Sequence, residues 1–158
     1  MASGFAEVVT YSPEQTQALG RALGAAAHAG DVFLLAGVLG AGKTCLTQGI
    51  LWGLGLDEYA RSPTFVLVAE YRARLMLYHL DLYRLDSVDE MEALGLDEYL
   101  YGDGVCVVEW ADKAPGAFPP EHLFIRLEVL DEGTRRIRLA ADDERNRSLI
   151  EVATAAVS

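Results

Sequence analysis

The sequence predicts an α/β fold: a sheet with a parallel core, antiparallel strands added to it, and helices on both faces. Three observations carry that expectation. Asp31 to Gly37 (DVFLLAG) is a short continuous apolar run that passes through a glycine-rich turn into a helical run from Lys43 to about Leu54. Strand, turn and helix in that order are the first half of a βαβ unit. Val105 to Trp110 (VCVVEW) is a second run of the same buried type. Two pairs of β-prone segments are each joined by a short turn, as antiparallel partners are.

In chain order, Tyr11 to Ala29 opens with Ser12 as N-cap, Pro13 at the first helical position and Gln15 three residues after the cap. Leu19, Ala22, Leu23 and Ala26 then recur at helical spacing, and Gly30 is expected to end the helix. Phe65–Tyr71 and Leu75–Leu80, linked around Ala73 and Arg74, form the first antiparallel pair. Ser87 to Leu94 reads as a short helix with Ser87 and Glu90 as its capping box. Ala114 to Pro120 is a Pro- and Gly-containing connection. Leu123–Leu130 and Arg135–Leu139 flank the turn Asp131–Thr134 as a hairpin, and Asp143–Val157 closes the chain as a helix.

Composition bounds the rest. With 158 residues, 51% of them hydrophobic, the chain is expected to form a single domain over 1–158, which excludes disorder, collagen and a disulfide scaffold. Cys45 and Cys106 show no CxxC spacing, so no structural zinc or redox motif is indicated and a reducing cytoplasm fits. MASGFAEVV lacks a basic segment followed by an apolar one, and the longest uncharged apolar-rich run, Thr44 to Leu56, is too short to span a bilayer. The expectation is a cytoplasmic protein without a membrane. Thirteen Lys and Arg against 24 Asp and Glu leave a formal charge of −11, which argues against charge-driven binding of nucleic acid by the chain itself.

The strongest chemical signal is Gly37–Thr44, GVLGAGKT, a GxxxxGKT loop between the buried strand and the helix. A polyphosphate must sit where backbone N–H groups converge on its oxygens, and glycines permit that curvature and close approach. The following helix adds unpaired donors and the positive end of its dipole. Leu39, Gly40, Ala41, Gly42 and Cys45 would surround the phosphates, Lys43 would neutralise their charge, and the Thr44 hydroxyl would face Mg²⁺. The fold expectation thereby sharpens to a P-loop NTPase-like sheet. Guanine-specific proteins of this kind carry an NKxD segment, whereas the only asparagine here, Asn146, precedes Arg147 and Ser148, so ATP is the default nucleotide. A nucleotide kinase would bring an arginine-bearing lid; between the loop and Val105 stand only Arg61, Arg72, Arg74 and Arg84, without a cluster.

Asp81 and Glu109 end their β-prone runs, and at the carboxyl ends of strands they would face the same crevice as the phosphates, to hold Mg²⁺ through water or to orient the attacking water. Ser62-Pro63-Thr64 lies where such enzymes keep a γ-phosphate-sensing segment, so either the Thr64 hydroxyl would contact nucleotide or the segment is an ordinary Pro turn. Ser12 serves as helix cap or as a contact to the base; neither role excludes the other.

Four motifs in order, LGAGKT (Leu39–Thr44), SPT (Ser62–Thr64), HLDLYRL (His79–Leu85) and VEW (Val108–Trp110), closely resemble the bacterial TsaE family, formerly YjeE. LGLDEYL, Leu94 to Leu100, is similar too, and the resemblance runs from about Ser12 to Leu127. It implies a Mg-dependent ATPase, slow alone, required for threonylcarbamoyladenosine modification of tRNA with a TsaB-like scaffold and a TsaD-like transferase as partners. It further implies Thr44 and Glu109 as Mg²⁺ ligands, Lys43 on phosphate, Thr64 as switch threonine, Asp81 as catalytic acid residue and Trp110 as a functional aromatic. Three positions depart from the pattern. Val38 stands for the usual Asp before LGAGKT, Cys45 for Thr or Ser, and Ala111 for the Pro after VEW. Cys45 heads the loop helix, where the dipole lowers a thiol pKa, or else it is an inert packing residue. A small-molecule P-loop kinase and a nucleotide-gated binding module with little turnover are the alternatives. The acidic charge then implies that tRNA is reached only through the partners.

Overall fold

A seven-stranded sheet organises the chain, with the runs that are apolar on both faces at its centre. The computed structural model describes residues 4–38, 40–60, 68–82, 89, 95–111 and 116–157. Its strands are β1 (Gly4–Thr10), β2 (Val32–Ala36), β3 (Val68–Arg72), β4 (Met76–Asp81), β5 (Val105–Glu109), β6 (Leu123–Val129) and β7 (Arg135–Ala141). Helices α1 (Pro13–Ala26), α2 (Lys43–Gly53), α3 (Asp97–Leu100) and α4 (Glu144–Val157) accompany them. The strand order is β1-β7-β6-β2-β5-β4-β3. β6, β2, β5 and β4 form the parallel core, and β7, β1 and β3 join antiparallel at its margins. Every residue of β2 and β5 is buried, which is why their runs are unbroken by alternation.

Alternation along the strands divides the core into two layers. Phe33, Leu35, Leu77, Val105, Val107 and Ile125 point to the face covered by α1, α2 and α4. Val32, Leu34, Leu80, Cys106 and Val108 point to the other, where Leu96 and Leu100 of the α3 segment pack. The expected sheet with helices on both faces is the one observed.

The packing of α1 on α2 sets the geometry of the phosphate loop. Gly20 and Gly24 of α1 meet Gly49 and Gly53 of α2 backbone to backbone. A Cβ built on Gly24 would lie 2.1 Å from the Ile50 carbonyl oxygen, and one on Gly49 2.2 Å from that of Gln17. No side chain fits this seam. The helices can therefore lie closer than the usual 8–10 Å axis separation allows larger residues.

Several boundaries differ from the sequence expectation. β1 was not anticipated: Ala6, Val8 and Thr10 turn inward while Phe5 and Glu7 are exposed, a faint alternation that becomes a strand because β7 offers a free edge. α1 stops at Ala26, ahead of Gly30. The Arg74 guanidinium donates to the carbonyls of Gly24, Ala25 and Ala27 at 3.0, 3.5 and 3.1 Å, filling acceptors that the helix end leaves unpaired. β7 runs on to Ala141. β5 ends at Glu109, so Trp110 leaves the sheet. The helix expected over 87–94, apart from Asp89, and the start of the strand at 65–67 lie outside the described residues.

Candidate functional site

The phosphate loop leaves β2 at Ala36 and enters α2 at Lys43. Gly37 has φ +152°, and a Cβ there would sit 2.7 Å from the Leu127 carbonyl oxygen. Gly42 is the N-cap of α2 with φ +106°, a left-handed conformation that an L side chain rarely adopts. These two glycines aim the loop back over the helix end. At the start of α1, Ser12 Oγ accepts from the Gln15 N–H at 3.2 Å, and Gln15 Oε1 accepts from the Tyr11 N–H at 2.6 Å. The start of α2 is different: no side chain caps it and no acidic residue stands in its first turn. Its first-turn N–H groups and positive dipole end remain available to an anion.

Lys43 is 5% exposed. Its ammonium donates to the Gly37 carbonyl at 2.5 Å and lies 3.4 Å from the centroid of the Trp110 ring. Trp110 reaches that position because its φ is +62°, and it is the only non-glycine residue among those described with positive φ. For an aromatic residue this backbone costs about 1–2 kcal/mol. The turn it makes takes the indole out of the sheet and onto the lysine. The Thr44 side chain is exposed at the mouth of the loop, as are Gly40 and Val38, the latter 63% exposed.

Across the crevice, strand register brings the carboxylates together. Asp81 and Glu109 are direct partners in the β4–β5 ladder, and Glu109 is paired with Leu35 of β2, two residues before the loop. Alternation from Leu77 and Val107 puts Asp81 and Glu109 on the face that carries α2. Glu109 is buried and hydrogen-bonded to His79 Nε2. The set of oxygens, the Thr44 hydroxyl and the Glu109 and Asp81 carboxylates, suits a hard divalent cation. Among the described residues no cluster of three His, Cys, Asp or Glu could hold a metal by itself.

Beside the loop a cleft of about 120 Å³ is lined by Ser12, Pro13, Thr16, Gly42, Cys45, Glu132, Gly133 and Arg135. Ser12, named from the sequence, thus both caps α1 and faces the loop. Cys45 is half-buried and its thiol donates to the Pro13 carbonyl at 3.3 Å. Burial, reinforced by the Glu14 carboxylate, pushes the Cys45 thiol up against the pull of Arg135. These surroundings favour the thiol over the thiolate. Leu39 and Thr64, with the rest of the SPT turn, lie outside the described residues. Gln48 of α2 holds the chain that leads to that turn, donating to the Glu58 carbonyl at 2.9 Å and accepting from the Ala60 N–H at 2.5 Å.

Two residues gain roles that the sequence did not assign. Arg135 opens β7 and donates to the loop carbonyls of Ala41 at 3.1 Å and Gly40 at 3.2 Å. It also donates to the carbonyls of Asp131, Glu132 and Thr134, binding the β6–β7 turn to the loop. An arginine after a turn is ordinary in sequence, and only the fold places it here. His79 was part of a motif without a function of its own.

A model of the family described as "Threonylcarbamoyl adenosine biosynthesis protein TsaE" matches residues 10–137. The chain is 42% identical over 132 residues to the tRNA threonylcarbamoyladenosine biosynthesis protein TsaE of Treponema pallidum, covering 84% of this chain and 98% of that one. It is 43% identical over 143 residues to the protein of that name from Bacillus subtilis, covering 90% and 89%. The crystal structure of Bacillus subtilis YdiB superposes with a TM-score of 0.83 at 36% identity, covering 100% of this chain and 99% of that one.

Proposed function

The chain belongs to the TsaE family of tRNA threonylcarbamoyladenosine biosynthesis proteins, and we propose that it is the ATP-hydrolysing subunit of that modification machinery. One observation carries the reading. An uncapped, glycine-turned helix N-terminus with a buried lysine faces a paired Asp81 and Glu109 across the carboxyl ends of the sheet. Binding and polarising a terminal phosphate needs these parts in these places.

In this reading the loop residues Leu39 to Thr44 take the phosphates, and Lys43 exchanges the Gly37 carbonyl and Trp110 for phosphate oxygens. Thr44 and Glu109 would hold Mg²⁺, which would supply charge neutralisation to the phosphates. Asp81 orients the attacking water and Thr64 senses the γ-phosphate. Ser12, Cys45 and Arg135 border the nucleoside in the adjoining cleft. In this reading the chain turns over slowly alone and faster with TsaB-like and TsaD-like partners, tRNA being reached through them. No helix of the described residues is long and apolar enough to cross a membrane, and a single cytoplasmic domain completes the reading.

The test is to incubate the protein with Mg-ATP, alone and with a TsaB–TsaD pair, tRNA, threonine and bicarbonate, following ADP and modified adenosine. Partner-stimulated ADP release with modification is expected. Phosphoryl transfer to an added nucleoside would favour a kinase, modification without turnover a nucleotide-gated module. Multi-turnover modification that is unaffected by omitting the protein would refute the proposal.

A further inference from the structure

His79 is fully buried in the middle of β4, where an apolar side chain would serve packing better. Its Nε2 meets Glu109 Oε2, whereas its Nδ1 is buried with no hydrogen-bond partner among the described residues. An imidazole with one nitrogen unmatched costs free energy to bury. Among the described residues the bond to Glu109 is its only return.

The register explains what that bond supplies. Asp81 is the direct ladder partner of Glu109, and the two carboxylates share one face at neighbouring-strand spacing, about 4.8 Å in a sheet. His79 precedes Asp81 by two residues, so it stands on the same face one step deeper into the sheet. From there an Nε2–H donor holds one Glu109 oxygen, Oε2.

We propose that His79 is a positioning residue that fixes the Glu109 carboxylate, through one oxygen, in the orientation that receives the divalent cation of the nucleotide. This deepens the functional reading above and rests on it. Groups that hydrogen-bond to a metal ligand from behind typically change metal affinity 10- to 100-fold when removed. Here the orienting group is the imidazole and the ligand is the carboxylate.

The test measures ADP and ATP affinity by calorimetry, with Mg²⁺ titrated from zero (EDTA) to saturation, in wild type, His79→Leu and His79→Gln. His79→Leu is expected to need about tenfold more Mg²⁺ for the same effect, with affinity in EDTA unchanged. His79→Gln, whose amide nitrogen reaches the Nε2 position, is expected to restore the wild-type requirement. In a Glu109→Gln background the His79→Leu change should add nothing. If folded His79→Leu shows the wild-type Mg²⁺ requirement, the histidine is a packing residue and the proposal is wrong. Should His79→Leu fail to fold, the comparison passes to His79→Gln against His79→Asn, whose shorter amide falls short of Glu109; equal Mg²⁺ requirements in those two would overturn it equally. A wild-type protein whose nucleotide affinity ignores Mg²⁺ would instead refute the functional reading.

Discussion

The Lys43 ammonium lies 3.4 Å from the centre of the Trp110 ring while donating to the Gly37 carbonyl, so the cation that the functional reading assigns to phosphate is held within the protein. In that reading nucleotide displaces these contacts. Trp110 holds its side of the pair at the expense of a φ of +62°.

Nucleotide binding should therefore be visible in the indole. In a Trp52→Phe background, which leaves Trp110 as the sole tryptophan, Mg-ATP is expected to shift the emission as the cation leaves the ring face. Lys43→Ala should abolish that shift, keep the far-UV spectrum, and weaken ATP binding by about 1.5–3 kcal/mol, roughly 10- to 150-fold. Unchanged ATP affinity by calorimetry would contradict the assignment of the loop.

The glycine seam gives a prediction with an inverted sign. Gly to Ala inside a helix normally stabilises by about 1 kcal/mol. At Gly24 and Gly49 the new methyl would meet a carbonyl oxygen at 2.1 and 2.2 Å. Each substitution is expected to destabilise by about 1–3 kcal/mol in urea unfolding. Because α1 carries Ser12 and α2 carries the loop, nucleotide affinity should fall as well.

Arg135 ties the loop carbonyls of Gly40 and Ala41 to the β6–β7 turn. Arg135→Gln should speed amide hydrogen exchange in Gly40–Thr44 and weaken nucleotide binding about tenfold, with a loss of stability near 1 kcal/mol. Arg135→Lys should behave similarly, since a point charge cannot span two carbonyls as the planar fork does. If exchange in the loop is unaltered, the clamp has no mechanical role.

Cys106 supplies a pH dependence. Burial pushes its thiol up to about 12 from 9.0. The unfolded chain thus loses this proton before the native one, so the stabilising contribution is complete below pH 9 and is lost as pH rises from 9 toward 12. One proton corresponds to about 1.4 kcal/mol per pH unit. Urea unfolding of Cys106→Ala should accordingly show a shallower decline than wild type between pH 9 and 10.

How much of this was legible depends on the range of the interaction. Strands such as Val105–Glu109 and the cap Ser12-Pro13-Gln15 were readable because continuous burial and capping leave local residue patterns. So was the GxxxxGKT loop, whose spacing states its own geometry. β1 was not: its alternation is weak, and an edge strand is stabilised by the neighbour it finds. The end of α1 was misplaced because a distant arginine, Arg74, supplies the cap that a local glycine was expected to provide.

Residue spacing alone places a GxxxxGKT loop between a buried strand and a helix, and acidic residues at the ends of two other strands. Which groups meet there follows from how the chain packs. Strand order and register put Asp81 beside Glu109 and His79 behind it, the left-handed turn at Trp110 laid its ring on Lys43, and the β6–β7 turn brought Arg135 to the loop. The physical reason is that spacing along a chain encodes local backbone conformation, whereas contacts between residues far apart in sequence arise when the chain buries its apolar faces and pairs its buried polar groups.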